Sequence, residues 1–335
     1  MREIAEEIRK QTLEQLDLSE DLTDEQVRFA IEQTLTRYGR EHYLPLETRR
    51  NLTEEIFHGI RGLDILEELL IDAGYPYTII REHRSNSFLG LVKSVLGMEY
   101  HMCTFLKKNH INILMGSTLS FASRVIMRTP TIVIGEDDWN VVPRYAKLVF
   151  PYASYILSPY VCDAGKWNTK KIGYAGYQKL TYLHPNYFTP DKKVVEKYFP
   201  VDESPYYIIR FAKLSAHHDV GVNGFSREVA QRGIDMLKAT GRVFITSETE
   251  LPQEFEPYRL RINPLDIHHL LAFASLYIGD SQSMAVEACM LGTPCLRFND
   301  FVGKKKISVL EELEHVYQLT NGISSHDAEQ LYSKV

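Results

Sequence analysis

The sequence lacks several features that mark familiar functional classes. It contains no apolar run of the ~18 residues that a membrane-spanning helix requires. Its four cysteines, Cys103, Cys162, Cys289 and Cys295, form no C-x-x-C pair, which excludes the common zinc and dithiol motifs. No G-x-x-x-x-G-K-S/T segment occurs, so the chain has no P-loop for a nucleoside triphosphate. We therefore expect reduced thiols in a cytosolic protein, with Cys289 and Cys295 in its core.

Positive charge is also scarce. The 335-residue chain carries a net charge of −6, which argues against a general nucleic-acid binder. Met1–Gly74 has 9 Lys and Arg against 18 Asp and Glu, a net charge of −9, whereas the remainder carries +3. The composition changes near Gly74 as well, from helix formers to β-branched and aromatic runs, so we expect two modules to meet there. The first residues lack a signal peptide's apolar core. We expect a cytoplasmic protein, with peripheral contact at the inner face of the membrane as a further expectation.

The acidic module, residues 1–72, has the patterns of an all-α unit. Helices are predicted at residues 1–17, 24–39, 46–58 and 62–72. Val27, Ile31 and Leu35 recur at helical spacing and predict one buried stripe. Thr23-x-x-Gln26 has the spacing of a capping box at the start of the second helix. No catalytic constellation is visible in this module.

Three segments of the acidic module follow one another in a recognisable order: Leu16–Val27, Leu46–Arg50 and Ile60–Asp72. Together they resemble the N-terminal helical region of the Flp-pilus and type II/IV secretion ATPases. Because no P-loop follows, the resemblance implies a docking module without motor activity. It predicts a secretion or pilus assembly partner that binds through residues 1–72.

After Gly74, predicted strands and helices alternate, which indicates parallel sheets covered on both faces. The predicted strands are Tyr77–Ile80, Ile111–Met115, Thr131–Ile134, Tyr155–Leu157, Tyr206–Phe211, Val243–Thr246, Leu276–Ile278 and Cys295–Phe298. Helices are predicted at Leu89–Lys107 and Arg227–Ala239, and the Pro-rich segment Pro185–Pro205 as a crossover between two sheets. The fold class is therefore α/β, with two Rossmann-like domains at residues 73–190 and 191–335. Ligands of such sheets bind at the carboxyl ends of the strands.

The most informative stretch is Leu276–Cys295, which has the pattern strand, polar turn, helix, glycine and strand. The start of a helix offers unpaired N–H groups and a positive dipole, which suit a phosphate. Ser281, Gln282 and Ser283 are therefore predicted to bind the diphosphate of a nucleotide sugar. Glu287, one turn further, is predicted to accept hydrogen bonds from the ribose. The alternative is an ordinary helix cap followed by a surface carboxylate.

Basic side chains are expected around the same ligand. Arg210, at the end of a predicted strand, can pair bidentately with the diphosphate. His217 and His218 are adjacent, so they point in opposite directions and do not easily share a metal ion. One of them is predicted to bind a phosphate or sugar oxygen. His268 is predicted near the base or ribose, with helix packing as the alternative; for His269 the same two roles are open.

A row of three acids, Glu136, Asp137 and Asp138, follows the strand Thr131–Ile134. Mutual repulsion raises the pKa of one carboxyl and can create a proton acceptor. We predict that this row supplies the base that deprotonates an acceptor hydroxyl. A solvated acidic loop and a Mg²⁺ site are the alternatives, although no metal is expected.

Four segments now point to one family: Glu136–Pro143, Gly176–Pro185, Ile209–Phe211 with Ala216–Asp219, and Asp280–Met284. Over residues 73–330 the chain resembles predicted glycosyltransferases with the two-domain GT-B fold, similar to UDP-N-acetylglucosamine 2-epimerase. The resemblance implies a nucleotide-diphosphate sugar donor, a glycan or lipid-linked acceptor and no other cofactor. It also implies a role in cell-surface polysaccharide or envelope glycan synthesis.

The chain departs from that family at its start. The acidic module stands where the first strand, loop and helix of a GT-B fold belong, with the junction at Leu69–Gly74, and this predicts an incomplete first sheet. A non-catalytic fusion protein that docks to a pilus or secretion assembly is therefore one alternative. A UDP-sugar 2-epimerase is another, but the acid that such epimerases carry after an early strand is replaced by Gly116-Ser117-Thr118. The basic run Lys304–Lys306 fits a diphosphate, an anionic membrane or a solvated loop.

Overall fold

The computed structural model describes most of the chain. The described residues are 2–13, 15, 24–42, 44–45, 48–50, 52–53, 56–57, 70, 74–78, 88–117, 121–200, 204–211, 225–247, 251–303 and 307–335. The chain divides into two compact units, one of Met1–Thr78 with Arg261–Ile267 and the other of Ile79–Leu260 with His268–Val335.

The first unit is helical. Its described helices are α1 (Arg2–Leu13) and α2 (Asp24–Glu41), and residues 48–50, 52–53 and 56–57 are also helical. Ile31 and Leu35 of α2 are fully buried against Ile8 and Leu52, which confirms the predicted stripe. Helix α2 continues two residues beyond Gly39, so the glycine does not end it. Thr23 of the predicted capping box, and most of the predicted helix at 62–72, lie outside the described residues.

The same unit contains a short helical turn before residue 268. A 3₁₀ turn spans Pro264–Asp266, and the side chain of Asn263 accepts a hydrogen bond of 2.9 Å from the Leu265 N–H. Asn263 therefore caps this turn. The proline at the first position of the turn is favourable because its missing N–H would have had no partner there.

The second unit begins with a four-stranded parallel sheet in the order β1-β2-β3-β4. Its strands are β1 (Leu114–Gly116), β2 (Thr131–Ile134), β3 (Tyr155–Pro159) and β4 (Lys171–Tyr174). The helices around it are α3 (Phe88–Lys108), α4 (Phe121–Val125) and α5 (Pro143–Val149), with a 3₁₀ turn at Gly165–Lys170. Val133 and Ile156 are buried with Ala146, Phe150 and Trp167.

The predicted strand at Tyr77–Ile80 is not seen in the described residues. Tyr77 and Thr78 have no regular structure, while Ile79 and Ile80 lie outside the described part of the chain. Among the described residues, no strand precedes β1. Strand β4 was not predicted.

The crossover predicted at Pro185–Pro205 lies between the two sheets. Helix α6 (Leu180–Leu183) precedes it, and helix α7 (Lys192–Glu196) lies within it. The side chain of Asp191 caps α7 by accepting a hydrogen bond from the Lys193 N–H.

The second sheet has five parallel strands in the order β6-β5-β7-β8-β9. They are β5 (Tyr206–Phe211), β6 (Arg242–Ser247), β7 (Leu276–Gly279), β8 (Cys295–Phe298) and β9 (Thr320–Ile323). Its helices are α8 (Arg227–Lys238), α9 (Ile267–Phe273), α10 (Gln282–Leu291), α11 (Ser308–His315) and α12 (Ala328–Lys334). Ile209, Ile245 and Ile278 are at most 2% exposed and form the centre of the core with Ile234 and Phe298. Two parallel Rossmann-like sheets are thus present, as predicted.

The strand order of the second sheet locates its crevice. Strand β5 lies between β6 and β7, so the chain direction across the sheet reverses at β5. In open parallel sheets, ligands bind outside the carboxyl ends of the strands at such a switch point. The crevice therefore lies at the carboxyl ends of β5 and β7.

Candidate functional site

Three residues form a row across the carboxyl ends of β6, β5 and β7. Thr246 is the register partner of Arg210, and Arg210 is the partner of Gly279. The predicted diphosphate ligand Arg210 thus lies beside the polar turn Asp280–Gln282. Its backbone oxygen accepts a hydrogen bond from the Asp280 N–H at 3.4 Å. The structure brings these predicted residues to one edge of the sheet.

Gly279 is required by this packing. A Cβ atom at this position would overlap the Tyr277 hydroxyl and lie 3.0 Å from the Cβ of Arg210. Any side chain would push apart β5 and the turn after β7. The glycine therefore permits the close approach of Arg210 to the start of α10.

Helix α10 begins where the sequence predicted. Ser281 is its N-cap, with an extended backbone (φ −78°, ψ 117°), and its hydroxyl accepts a hydrogen bond from the Met284 N–H at 3.4 Å. The first turn of a helix still leaves N–H groups without intrahelical partners, beside the positive end of the dipole. Ser283 is exposed, whereas Ser281 and Gln282 are half-buried. At the other end, Gly292 ends the helix in the left-handed conformation (φ +78°), as predicted.

Glu287 faces side chains from two other parts of the unit. The Tyr182 hydroxyl donates to one carboxylate oxygen at 2.7 Å, and Nε2 of His268 lies 3.5 Å from the other. The Glu287 side chain is 16% exposed. Burial alone would raise the pKa of Glu287, but hydrogen bonds from His268 and Tyr182 and the charge of Lys179 bring it below the ordinary value. Glu287 is therefore a negatively charged acceptor.

Tyr182 remains a hydrogen-bond donor in this arrangement. Burial and the neighbouring Glu287 carboxylate raise its pKa. Its ring lies 5.5 Å from that of His268, between centroids. The predicted contact of His268 with the base or ribose remains a prediction; the observed partners are Glu287 and Tyr182. His269 instead accepts a hydrogen bond from the Asp191 N–H at 3.0 Å.

Of the acidic row, Glu136 is tied to the segment after β4. One of its carboxylate oxygens lies 3.2 Å from Lys179 Nζ, and the other accepts a hydrogen bond of 2.9 Å from the Gln178 N–H. Both side chains of the ion pair are only 15% exposed. This pairing favours a structural role for Glu136.

Asp138 joins the two sheet-bearing halves of the unit. Its carboxylate accepts hydrogen bonds from the N–H groups of Asp163 at 2.6 Å and Ser308 at 2.7 Å. Ser308 is the first residue of α11, so Asp138 stabilises the start of that helix through both the hydrogen bond and the dipole. The residue is 3% exposed. These contacts favour a structural role here as well.

Asp137 differs from its neighbours because it is exposed. It borders a small cavity together with Val133 and Tyr145. Burial, followed by the nearby Asp137 carboxylate, raises the pKa of Tyr145. Of the three predicted acids, Asp137 is the one whose position suits exchange of a proton with a ligand.

Some predicted residues lie outside the described part of the chain: His217 and His218 in one segment, Lys304–Lys306 in another. The structure adds residues that the sequence did not indicate: Tyr182, Lys179 and Thr246. The first two belong to the family-like segment Gly176–Pro185, which is the signal in the sequence that points to them.

Comparison with known proteins bears on the fold. No protein-family model and no curated protein sequence matches the chain. Solved structures do. The UDP-GlcNAc 2-epimerase from Methanocaldococcus jannaschii matches with a TM-score of 0.54 and 14% identity, over 80% of each chain. The UDP-GlcNAc 2-epimerase from Neisseria meningitidis bound to UDP-GlcNAc matches with a TM-score of 0.53 and 16% identity. This match covers 80% of this chain and 79% of that chain.

A third structure, S. aureus MnaA with UDP, matches with a TM-score of 0.53 and 13% identity over 81% of this chain and 77% of that chain. The chain has the fold of the UDP-GlcNAc 2-epimerases. This is the GT-B-like arrangement of parallel Rossmann-like sheets that was predicted. None of the helices in the described part of the chain has the length and apolar content needed to cross a lipid bilayer.

Proposed function

We propose that this chain binds a nucleoside-diphosphate sugar at the carboxyl ends of β5 and β7. One observation carries the proposal: helix α10 starts at the switch point of the second sheet, beside Arg210, with the charged Glu287 one turn along. Two matched epimerase-fold structures, from N. meningitidis and S. aureus, contain UDP-GlcNAc and UDP. Their ligands support the proposal by analogy of fold.

Each part of the ligand has a partner in this proposal. Arg210 and the first turn of α10, with Ser281 and Ser283, bind the diphosphate, because a guanidinium and free N–H groups both favour an anion. Glu287 accepts hydrogen bonds from the ribose hydroxyls. His217 or His218 contributes a further hydrogen bond to a phosphate or sugar oxygen.

The activity we propose is glycosyl transfer to a glycan or lipid-linked acceptor, in surface polysaccharide or envelope glycan synthesis. Asp137 is the base that removes the proton of the acceptor hydroxyl. Its exposure supports this role, whereas the side chain of Glu136 is only 15% exposed and Asp138 is 3% exposed. The sugar is transferred to the acceptor oxygen, and the nucleoside diphosphate leaves.

A UDP-sugar 2-epimerase is the second candidate, because the matched structures from M. jannaschii and N. meningitidis are UDP-GlcNAc 2-epimerases. Gly116 ends β1 and Ser117 follows it, at the place where the family resemblance leads us to expect an acid in an epimerase. We therefore rank transfer above epimerisation. Isomerisation of a UDP-sugar without any acceptor would reverse this order.

The first experiment is a thermal-shift screen of the full chain against UDP-GlcNAc, UDP, GDP-mannose and dTDP-glucose. A ligand that binds only the native state stabilises it, by an amount that grows with the logarithm of the ligand concentration above Kd, and so raises the melting temperature. At least one nucleotide should raise it, and the corresponding sugar nucleotide should then be consumed when an acceptor extract is added. No shift with any nucleotide, together with co-purification of secretion ATPase partners through residues 1–72, would favour the docking function instead.

A further inference from the structure

Within the described part of the chain, two buried oxygen atoms at the carboxyl edge of the second sheet have no hydrogen-bond partner. They are Oε1 of Gln282 and Oγ1 of Thr246. Gln282 is the first residue of α10, and Thr246 is the register partner of Arg210 on β6. A buried polar atom without a partner is unfavourable, so each such atom in a native protein calls for an explanation.

The orientation of the Gln282 amide is set by a chain of contacts. The Phe301 N–H donates to Oδ1 of Asn299 at 3.0 Å, and Nδ2 of Asn299 donates to the Asp280 carbonyl at 3.3 Å. Asn299 therefore presents an oxygen toward Gln282, whose Nε2 lies 3.5 Å away. Rotating the Gln282 amide would bring two oxygens together. Nε2 must face Asn299, and Oε1 must face away from it.

Thr246 adds a hydroxyl to the same edge. The residue is 8% exposed and lies in the row that includes Arg210 and Gly279. Gly279, at the other end of this row, directly precedes the turn that starts α10. Register partners on parallel strands point their side chains to the same face of the sheet. The Thr246 hydroxyl is therefore on the face that carries Arg210.

We infer that Gln282 and Thr246 form a subsite for a hydroxyl-bearing sugar ring, with Asn299 as the residue that positions Gln282. The inference rests on the proposed function and makes it more specific. An amide oxygen repels a phosphate oxygen but accepts a hydrogen bond from a sugar hydroxyl, while the threonine hydroxyl both donates and accepts. Gln282 thus accepts a hydrogen bond from a sugar hydroxyl, whereas Arg210 and the backbone N–H groups of α10 bind the diphosphate.

The test uses the substitutions Gln282→Met and Thr246→Val. Each keeps the approximate size of the side chain and removes the buried oxygen that has no partner among the described residues. Each should weaken binding of the sugar nucleotide identified by the screen by roughly 2- to 12-fold, the value of one net hydrogen bond. Each should also leave the melting temperature of the unliganded protein unchanged or raise it, because an unpaired buried oxygen has been removed. Thr246→Ser keeps the hydroxyl and serves as the matched control, with wild-type affinity expected.

Titration calorimetry with the sugar nucleotide and with its parent nucleoside diphosphate identifies the ring. If the variants bind only the sugar nucleotide more weakly than the wild-type protein does, the subsite belongs to the donor sugar. If they bind both ligands more weakly, the subsite belongs to the ribose. Unchanged affinity for both ligands overturns the inference. A marked fall in the unliganded melting temperature of both variants also overturns it, because the oxygens would then have partners in the protein. Failure of the wild-type protein to bind any nucleotide is a separate result that contradicts the proposed function.

Discussion

The Tyr182 hydroxyl donates a hydrogen bond of 2.7 Å to the carboxylate of Glu287, across 105 residues of sequence. Glu287 is the residue to which we assign the ribose, so a protein hydroxyl already occupies one of its oxygens. His268 faces the other at 3.5 Å. In this arrangement the ribose must compete with Tyr182 for the carboxylate, or the contact must open before the nucleotide binds.

Replacing Tyr182 with phenylalanine tests this competition. The substitution Tyr182→Phe removes the hydroxyl and keeps the ring against His268. Nucleotide affinity should rise by about fivefold, the factor that ~1 kcal/mol of competing interaction represents. Titration calorimetry measures the change. Tyr187→Phe, at a residue that is 79% exposed, is the matched control. A loss of affinity in Tyr182→Phe would show that the hydroxyl assists the ligand.

Stability should depend on pH through Glu287. Its pKa in the folded protein lies below the ordinary value of 4.5, so the folded state favours the charged form. The stabilisation is therefore fully present above pH 4.5 and is lost as the pH falls through the lower, folded-state pKa. Urea unfolding of the wild-type protein and of Glu287→Gln, from pH 7 downward, checks this. The difference in unfolding free energy should shrink below the ordinary pKa, and a constant difference would show that Glu287 has no charge-dependent role in folding.

Asp138 and Asp137 should respond differently to loss of charge. Asp138→Asn removes one of two oxygens that accept N–H groups from Asp163 and Ser308, and it should lower the unfolding free energy by about 1–3 kcal/mol. Asp137→Asn, at an exposed position, should leave stability within about 0.5 kcal/mol and lower the rate of sugar transfer. Denaturant titrations and a transfer assay on both variants separate the two roles. Equal loss of stability in both would contradict the assignment.

Gly279 should not tolerate a side chain. In Gly279→Ala the added methyl group would overlap the Tyr277 hydroxyl and press on Arg210, so the unfolding free energy should fall by about 1–3 kcal/mol, as in overpacked cores. Gly135→Ala is the matched control, because nothing lies within 4 Å of a Cβ at Gly135. Equal stability of the two variants would show that β5 and the turn can separate without cost.

The sequence predicted the buried strands well and missed two strands at the sheet edges. Strands β2, β5 and β8 have the predicted bounds, because apolar runs between turn residues are typical of strands buried on both faces. Strands β4 (Lys171–Tyr174) and β9 (Thr320–Ile323) lie at the ends of their sheets. Each is short and contains a glycine and a polar residue, so an edge strand of this kind has no clear hydrophobic pattern.

The candidate site was predicted in part for a similar reason. The start of α10 follows from local rules, and Ser281 forms the helix cap that the sequence left open as the alternative to a ligand role. The contacts of Glu287 with Tyr182 and of Asp138 with Ser308 span 105 and 170 residues. No local pattern encodes such pairs, because they depend on how the two sheet-bearing halves of the unit pack.

The most direct test of nucleotide-sugar binding is calorimetry on Glu287→Ala with the ligand found in the screen. Loss of hydrogen bonds to a charged acceptor should weaken binding by roughly 10- to 150-fold. Glu329→Gln is the control, since the Glu329 side chain is 78% exposed and is paired with Arg232 on the helical surface. The proposal predicts wild-type affinity in the control and a large loss in Glu287→Ala with a folded protein. Unchanged affinity in Glu287→Ala would contradict the assignment of the site to α10.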